Sequence, residues 1–139
     1  MKSGPLLNSG LSAVVSRMGH LDSLVIADAG LPIPRETERI DLALTRGIPS
    51  FIETLKTVLE ELRVEKMMVA EEIRSRNPAQ LRQIEELARS YGESNGIKVE
   101  LIFVSHEELK AKCSKSAAVV RTGECTPYSN VILFSGVVF

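Results

Sequence analysis

The sequence predicts a single α/β domain, a three-layer α/β/α arrangement on a partly parallel mixed sheet. Three observations carry that expectation. Short apolar runs rich in branched residues, such as Ser23-Leu-Val-Ile-Ala27, alternate with segments of helical periodicity. Helix-start and helix-stop residues fall between them. The chain has 139 residues, 44% hydrophobic and 25% charged, which suffices for one core and not for two. No repeat, low-complexity tract or dividing linker appears, so residues 1–139 are read as one domain.

Leu11, Val14, Val15 and Met18 lie at i, i+3, i+4 and i+7, one face of a first helix. Asn8 or Ser9 can cap its start, and Gly19 suits a left-handed residue at its end. Ser23 to Ala27 is an apolar run of strand length, expected to be buried. Prolines 32 and 34 bar Gly30-Leu-Pro-Ile-Pro34 from continuing any element. Arg39 to Leu44 is a short second strand. Ser50-Phe-Ile-Glu53 is a capping box that opens a helix to about Leu62. Val64 to Ala70 follows as a strand. Asn77-Pro78 forms an N-cap and first-turn pair for a helix to about Tyr91. Gly92 to Gly96 is a turn, and Ile97 to Val104 a strand. Ser105-His-Glu-Glu108 is a second capping box, opening a helix to about Lys115. Ala117 to Arg121 is a strand, Thr122 to Tyr128 a loop, and Asn130 to Phe134 and Gly136 to Phe139 terminal strands.

The bulk numbers exclude several functions. A net charge of −1 gives no electrostatic footprint for nucleic acid or an anionic membrane. Nine acids and seven bases between Glu53 and Glu93 are well mixed, as on a solvated helix surface. Cys113 and Cys125 form no CxxC pair and no zinc spacing, which fits reduced thiols in the cytoplasm. The N-terminal segment is not a signal peptide, since Asn8, Ser9 and Gly10 interrupt its apolar run. No apolar stretch approaches the roughly 20 residues of a membrane span. GxGxxG, GxxxxGK[ST], GxSxG and HExxH are all absent.

The candidate chemistry lies at element ends. Only two histidines exist, His20 and His106. His20 comes just after a predicted helix C-terminus and His106 in the first turn of another helix. A helix C-terminus favours imidazolium and an N-terminus the neutral ring, the division an acid/base pair requires. Asp28 closes a buried strand, and ligands of open α/β sheets collect outside such carboxyl ends. His106 also follows a strand, and Tyr128-Ser129-Asn130 leads into another. A phenol, an amide and a carboxylate together suit a polyol. Each residue has a plainer role open to it: Asp28 as a turn cap, His106 as a solvated first-turn residue, Tyr128 and Asn130 as loop residues. Spacing alone gives a small polar ligand with acid/base chemistry.

Gly19-His-Leu-Asp-Ser-Leu-Val-Ile-Ala-Asp-Ala-Gly-Leu-Pro-Ile-Pro34 closely resembles the signature of the D-ribose pyranase family. Arg39-Ile-Asp-Leu-Ala-Leu44 with Gly47-Ile-Pro-Ser-Phe51, Arg121-Thr-Gly-Glu-Cys-Thr-Pro-Tyr-Ser-Asn130 and Gly136-Val-Val-Phe139 resemble it too. The likeness runs from Met1 to Phe139, although residues 53 to 95 carry little of it. It implies an isomerase that interconverts the β-pyranose and β-furanose forms of D-ribose, without a cofactor, in ribose utilisation. It implies His20 as proton donor, with Asp28, His106, Tyr128, Ser129 and Asn130 binding the sugar. It also implies a ring-like homo-oligomer, a pentamer or decamer. Fucose mutarotases share much of the His…Asp…Tyr-x-Asn arrangement, and a non-catalytic ribose-binding accessory protein would need the same contacts. The Ala-Gly-Leu-Pro-Ile-Pro turn looks like the ribose branch.

One geometric expectation is independent of the likeness. His20 precedes the first strand and Asp28 follows it. At about 3.3 Å per residue these two lie on the order of 20 Å apart, too far for one sugar to bridge. A site that uses both is therefore expected between subunits. The apolar C-terminus ending at Phe139 is expected to be covered.

Overall fold

The computed structural model describes all residues, 1–139. Five helices and six strands follow in the order α1 (Ser9–Arg17), β1 (Ser23–Ala27), β2 (Arg39–Asp41), α2 (Phe51–Leu59), β3 (Val64–Ala70), α3 (Ile73–Arg76), α4 (Pro78–Asn95), β4 (Glu100–Val104), α5 (His106–Cys113), β5 (Ala118–Arg121) and β6 (Val131–Ser135). They form one mixed sheet in the order β2-β5-β1-β6-β3-β4. The β1–β5, β2–β5 and β3–β4 pairs are parallel. β6 alone runs antiparallel, against both β1 and β3. The carboxyl ends of the five parallel strands therefore share one edge with the amino end of β6.

The two faces of the sheet are covered unequally. Leu24 and Ile26 of β1 join a 22-residue core with residues of α1, α2 and α4. Their neighbours Val25 and Ala27 point the other way, into a nine-residue cluster sealed by Leu109 and Cys113 of α5. Both faces of β1 are thus apolar, which is why it reads as a continuous run rather than an alternation. Burial pushes the Cys113 thiol up to about 11.

The helix signals work mostly as expected. Asn8 caps α1, its Oδ1 accepting the Leu11 N–H at 2.9 Å. Ser50 and Glu53 form the full capping box of α2: the Glu53 N–H donates to Ser50 Oγ and the Ser50 N–H to Glu53 Oε2. Asn77 caps α4 with Pro78 behind it. The second expected box, at Ser105, is half formed. Ser105 Oγ accepts the Glu108 N–H, but the Glu108 carboxylate turns towards Lys112 instead.

Several boundaries differ, each for a local reason. α1 ends at Arg17 with Met18 extended, and the left-handed residue is Leu21 (φ 68°), not Gly19. The Gly19 N–H donates to the Asp22 carboxylate at 2.7 Å and so closes that turn without a left-handed glycine. α2 stops at Leu59 and gives way to a turn in which the Leu62 N–H bonds back to the Val58 carbonyl. α4 passes through Gly92 to Asn95 and closes on Gly96 (φ 63°), so β4 begins only at Glu100. A Cβ at Gly92 would come within 2.7 Å of the Ile97 carbonyl oxygen, so this glycine permits a close crossing rather than a turn. β2 ends at Asp41, and Leu44 instead donates to the Ile48 carbonyl in a local hairpin. The four-residue α3 had no periodic signal. Gly136 to Phe139 is not a strand, and Val138 and Phe139 are fully exposed in the single chain.

Candidate active site

At the carboxyl edge, β1 delivers Asp28 and the loop before β6 delivers Tyr128, Ser129 and Asn130. Asn130 is 1% exposed and bridges back to β1. Its Oδ1 accepts the Asp28 N–H at 2.9 Å, and its Nδ2 donates to Asp28 Oδ2 at 2.8 Å. The second carboxylate oxygen accepts the Gly30 N–H at 2.9 Å. Both carboxylate oxygens are thus oriented by the protein. Two such bonds to a charged acceptor fix a side chain far more firmly than one exposed contact.

His106 opens α5 beside this pair. Its ring meets the Tyr128 ring edge-on, with centroids 5.1 Å apart and planes at 82°. Its backbone N–H donates to both carboxylate oxygens of Glu72, at 3.2 and 3.0 Å, which ties α5 to the end of β3. Its Nδ1 is buried without a partner. Next to it, the Glu107 carboxyl is held below its ordinary range, chiefly by a hydrogen bond from the Lys110 ammonium. Tyr128 has a left-handed backbone (φ 57°), a conformation that a tyrosine adopts at a cost and that clusters at functional sites.

Ser129 is fully buried and its hydroxyl faces α4, not the edge. It accepts from Gln80 Nε2 at 3.1 Å and Asn77 Nδ2 at 3.4 Å, and pairs with Thr126 Oγ1 at 2.8 Å. Asn77 Nδ2 also donates to the Pro127 carbonyl at 2.9 Å. Asn77, Gln80, Thr126 and Glu72 thus hold the loop and the helix that carry Tyr128, Asn130 and His106. Sequence reasoning missed all four as parts of this edge. Asn77 had a cap signal, but nothing local to it marks contact with a loop about fifty residues away.

His20 is not among these residues. It lies at the opposite edge, on the turn before β1, half exposed, with Nε2 3.2 Å from Glu65 Oε1. It stands three residues beyond the end of α1, past the last turn within which a helix dipole acts. The expected helix-end placement is thus found for His106 and not for His20, whose side-chain partner is the Glu65 carboxylate. Leu21 and Tyr128 are the two non-glycine residues with positive φ, and each adjoins a predicted site residue. No group of three or more histidine, cysteine or acidic side chains is arranged to hold a metal ion.

Two surface cavities flank the carboxyl edge without enclosing it. One of about 780 Å³ is lined by Glu71, Glu72, Arg74, Phe103, Ser105 and Glu108. Another of about 330 Å³ is lined in part by Ala29, Arg46, Arg121 and Cys125. A third, of about 630 Å³ between the end of α4 and β4, contains none of the predicted residues. The oriented carboxylate and amide are better evidence of a site than cavity size.

Fold and edge together define a class: an α/β protein whose sheet ends in a donor-and-acceptor edge suited to a small polyol. Likeness to known proteins narrows it. The chain belongs to the RbsD / FucU transport protein family, whose family model matches residues 1–138. It is 50% identical over 139 residues to the D-ribose pyranase of Proteus mirabilis (strain HI4320), covering 100% of both chains. The solved structure of Bacillus subtilis RbsD complexed with D-ribose superposes with a TM-score of 0.91 at 42% identity, again over 100% of each chain. The fucose mutarotase of Streptococcus pneumoniae, solved in complex with L-fucose, superposes with a TM-score of 0.84 at 22% identity over 100% of each chain, a likeness of fold.

Proposed function

We propose that this protein is a D-ribose pyranase, an isomerase that interconverts the β-pyranose and β-furanose forms of D-ribose. The observation that carries this is the oriented Asp28–Asn130 pair beside Tyr128 and His106, in a chain half identical to a D-ribose pyranase over its whole length. The 42% identity to a ribose-bound relative, against 22% to a fucose-bound one, favours ribose over fucose.

The reaction needs proton transfers and rotation only. A base takes the anomeric hydroxyl proton, the bond from C1 to the ring oxygen breaks, and an acid protonates that oxygen. The open aldehyde turns about its C–C bonds, and a different hydroxyl attacks C1. Electrons and protons balance without a redox step, so the chemistry calls for no cofactor. In this reading Asp28 accepts from sugar hydroxyls, Asn130 sets its orientation, and Tyr128 and His106 bound the ring. Ser129 contributes through the loop it anchors. His20 donates the proton. His106 is a ligand contact and a candidate base.

β1 separates His20 from Asp28 by a span on the order of 20 Å. The same sugar meets both only if His20 comes from a neighbouring copy. This reading requires a site between subunits, and the family likeness makes the assembly a ring-like homo-oligomer, a pentamer or decamer. The exposed Leu21, Val138 and Phe139 at the His20 edge supply apolar surface for such contacts. No helix is long and apolar enough to cross a membrane. The two free cysteines support a cytoplasmic location.

Magnetisation-transfer NMR on ribose tests the activity. Faster pyranose–furanose exchange on adding protein is expected, and ribose binding without faster exchange would leave a non-catalytic binding protein. Mixing His20→Ala and Asp28→Ala proteins under subunit exchange tests the shared site. Activity should return in the mixture, and no recovery would refute a site shared between copies.

A further inference from the structure

We propose that Glu65 is the positioning residue of His20, and that it leaves Nδ1 as the imidazole nitrogen that works on the sugar. The inference rests on the proton-donor role given to His20 above. Two backbone irregularities converge on this contact. The pairing of β3 with β6 runs Val64 to Ser135 and then Lys66 to Phe134, so Glu65 is the extra residue of a β-bulge. Bulges re-aim a side chain that regular pleating would direct elsewhere, and they concentrate beside active sites. Here the re-aimed carboxylate meets His20 Nε2 at 3.2 Å.

The turn that presents His20 is fixed from β6, the strand paired with β3 at the bulge. Leu21, left-handed at φ 68°, donates its N–H to the Ser135 carbonyl at 2.9 Å. Ser135 Oγ donates to the Gly19 carbonyl, and the Asp22 carboxylate accepts the Gly19 N–H. An exposed leucine held left-handed is a strained choice for a plain connecting turn. Asp22 is occupied by the turn and Arg63 by Asn95, at 3.1 Å. Glu65 is the one charged group bonded to the imidazole.

The consequence is a division of labour within the ring. Glu65 accepts Nε2–H in both charge states of the imidazole. The imidazolium therefore gives its Nδ1 proton to the ring oxygen as the C1–O bond breaks, while the anomeric hydroxyl proton passes to water or a base. Reclosure returns a proton to Nδ1. A base held by an orienting carboxylate is the arrangement that keeps a histidine in one tautomer and one rotamer.

The experiment measures ribose turnover and ribose binding separately for Glu65→Gln and Glu65→Ala, alone and combined with His20→Ala. Losing one half-exposed, charge-assisted hydrogen bond is expected to lower kcat about tenfold in Glu65→Ala, with KM within about twofold. Glu65→Gln, whose amide oxygen still accepts Nε2–H, should recover part of that loss. Neither substitution should change the residual rate of His20→Ala. Unchanged kcat in Glu65→Ala, a loss confined to KM, or an equal further loss in the His20→Ala background would each overturn the role of Glu65. Full activity of His20→Ala would instead refute the donor assignment on which it rests. Nitrogen-15 NMR gives a readout independent of activity, with His106→Gln assigning the two rings. The neutral His20 ring should carry its hydrogen on Nε2, and an Nδ1–H tautomer would overturn the proposal.

Discussion

The two edges of this one sheet are built on opposite principles. Around the carboxyl edge Asp28, Asn130 and Ser129 are held by buried or half-buried hydrogen bonds that reach from β1 to α4. At the amino edge His20 stands half exposed on a turn, with a single side-chain partner. The contrast matches the two tasks proposed for these edges. Recognising a polyol needs donors and acceptors fixed before the ligand arrives, since a buried polar group that loses its partner is expensive. Moving a proton needs one titratable ring that solvent or substrate can reach. Binding and stability should therefore fail together at one edge, and turnover alone at the other.

Substitutions can break that contrast. His20→Ala should lower turnover by about 10² to 10⁴, the usual worth of a positioned acid, while ribose affinity and thermal stability stay close to wild type. A matching loss of affinity in calorimetry would merge the two tasks. Asn130→Ala strips Asp28 of two hydrogen bonds and should weaken ribose binding about a hundredfold while lowering stability by about 2 kcal/mol. An affinity loss with no change in denaturant midpoint would mean that the bridge is not structural. His106→Gln sharpens the comparison. If His106 also acts as base, bound ribose should convert more slowly, and normal conversion of weakly bound ribose leaves it a ligand contact only.

Smaller effects are expected for groups that support an edge from behind. Ser129→Ala removes the acceptor of Gln80 and should cost about 1 kcal/mol by chemical denaturation, with turnover of saturated enzyme unchanged. The smallest effect lies at the start of α2. Hydrogen bonds from the Ser50 hydroxyl and N–H, then the nearby Lys56 charge, hold the Glu53 carboxyl below its ordinary 4.5. A lowered folded value contributes stability above the unfolded value and loses it as pH falls through the carboxylate range. Glu53→Gln should thus be slightly less stable than wild type at neutral pH and equal to it in strong acid.

Much of the fold was legible because its signals are local. The apolar run of β1, the capping box at Ser50 and the Asn77-Pro78 pair each act within a few residues, and the structure keeps them. The boundaries that moved depend on distant atoms. Gly92 reads as a turn residue until the Ile97 carbonyl is seen to crowd it. Leu21 and Tyr128 carry no hint of left-handed backbone, because leucine and tyrosine have no local preference for it. The proposed site residues Asp28, His106, Tyr128 and Asn130 could be named from element ends and family likeness, and the structure gathers them on one edge. Their supports, Glu72, Asn77 and Gln80, lie in the stretch with little family signal. The orientation of Ser129 towards α4 could not be read from its place in a loop.

The lone antiparallel strand, β6, has a consequence for how this molecule can change. Its amino end follows Asn130, and its carboxyl end, Ser135, holds the turn of His20. Five residues therefore act as a ruler between the two ends of the sheet. Inserting or deleting one residue there would reverse which face each side chain occupies and shift both ends together. Neither end can drift in length or register without the other, so variation in substrate preference must come from side chains and loops while the ruler stays the same.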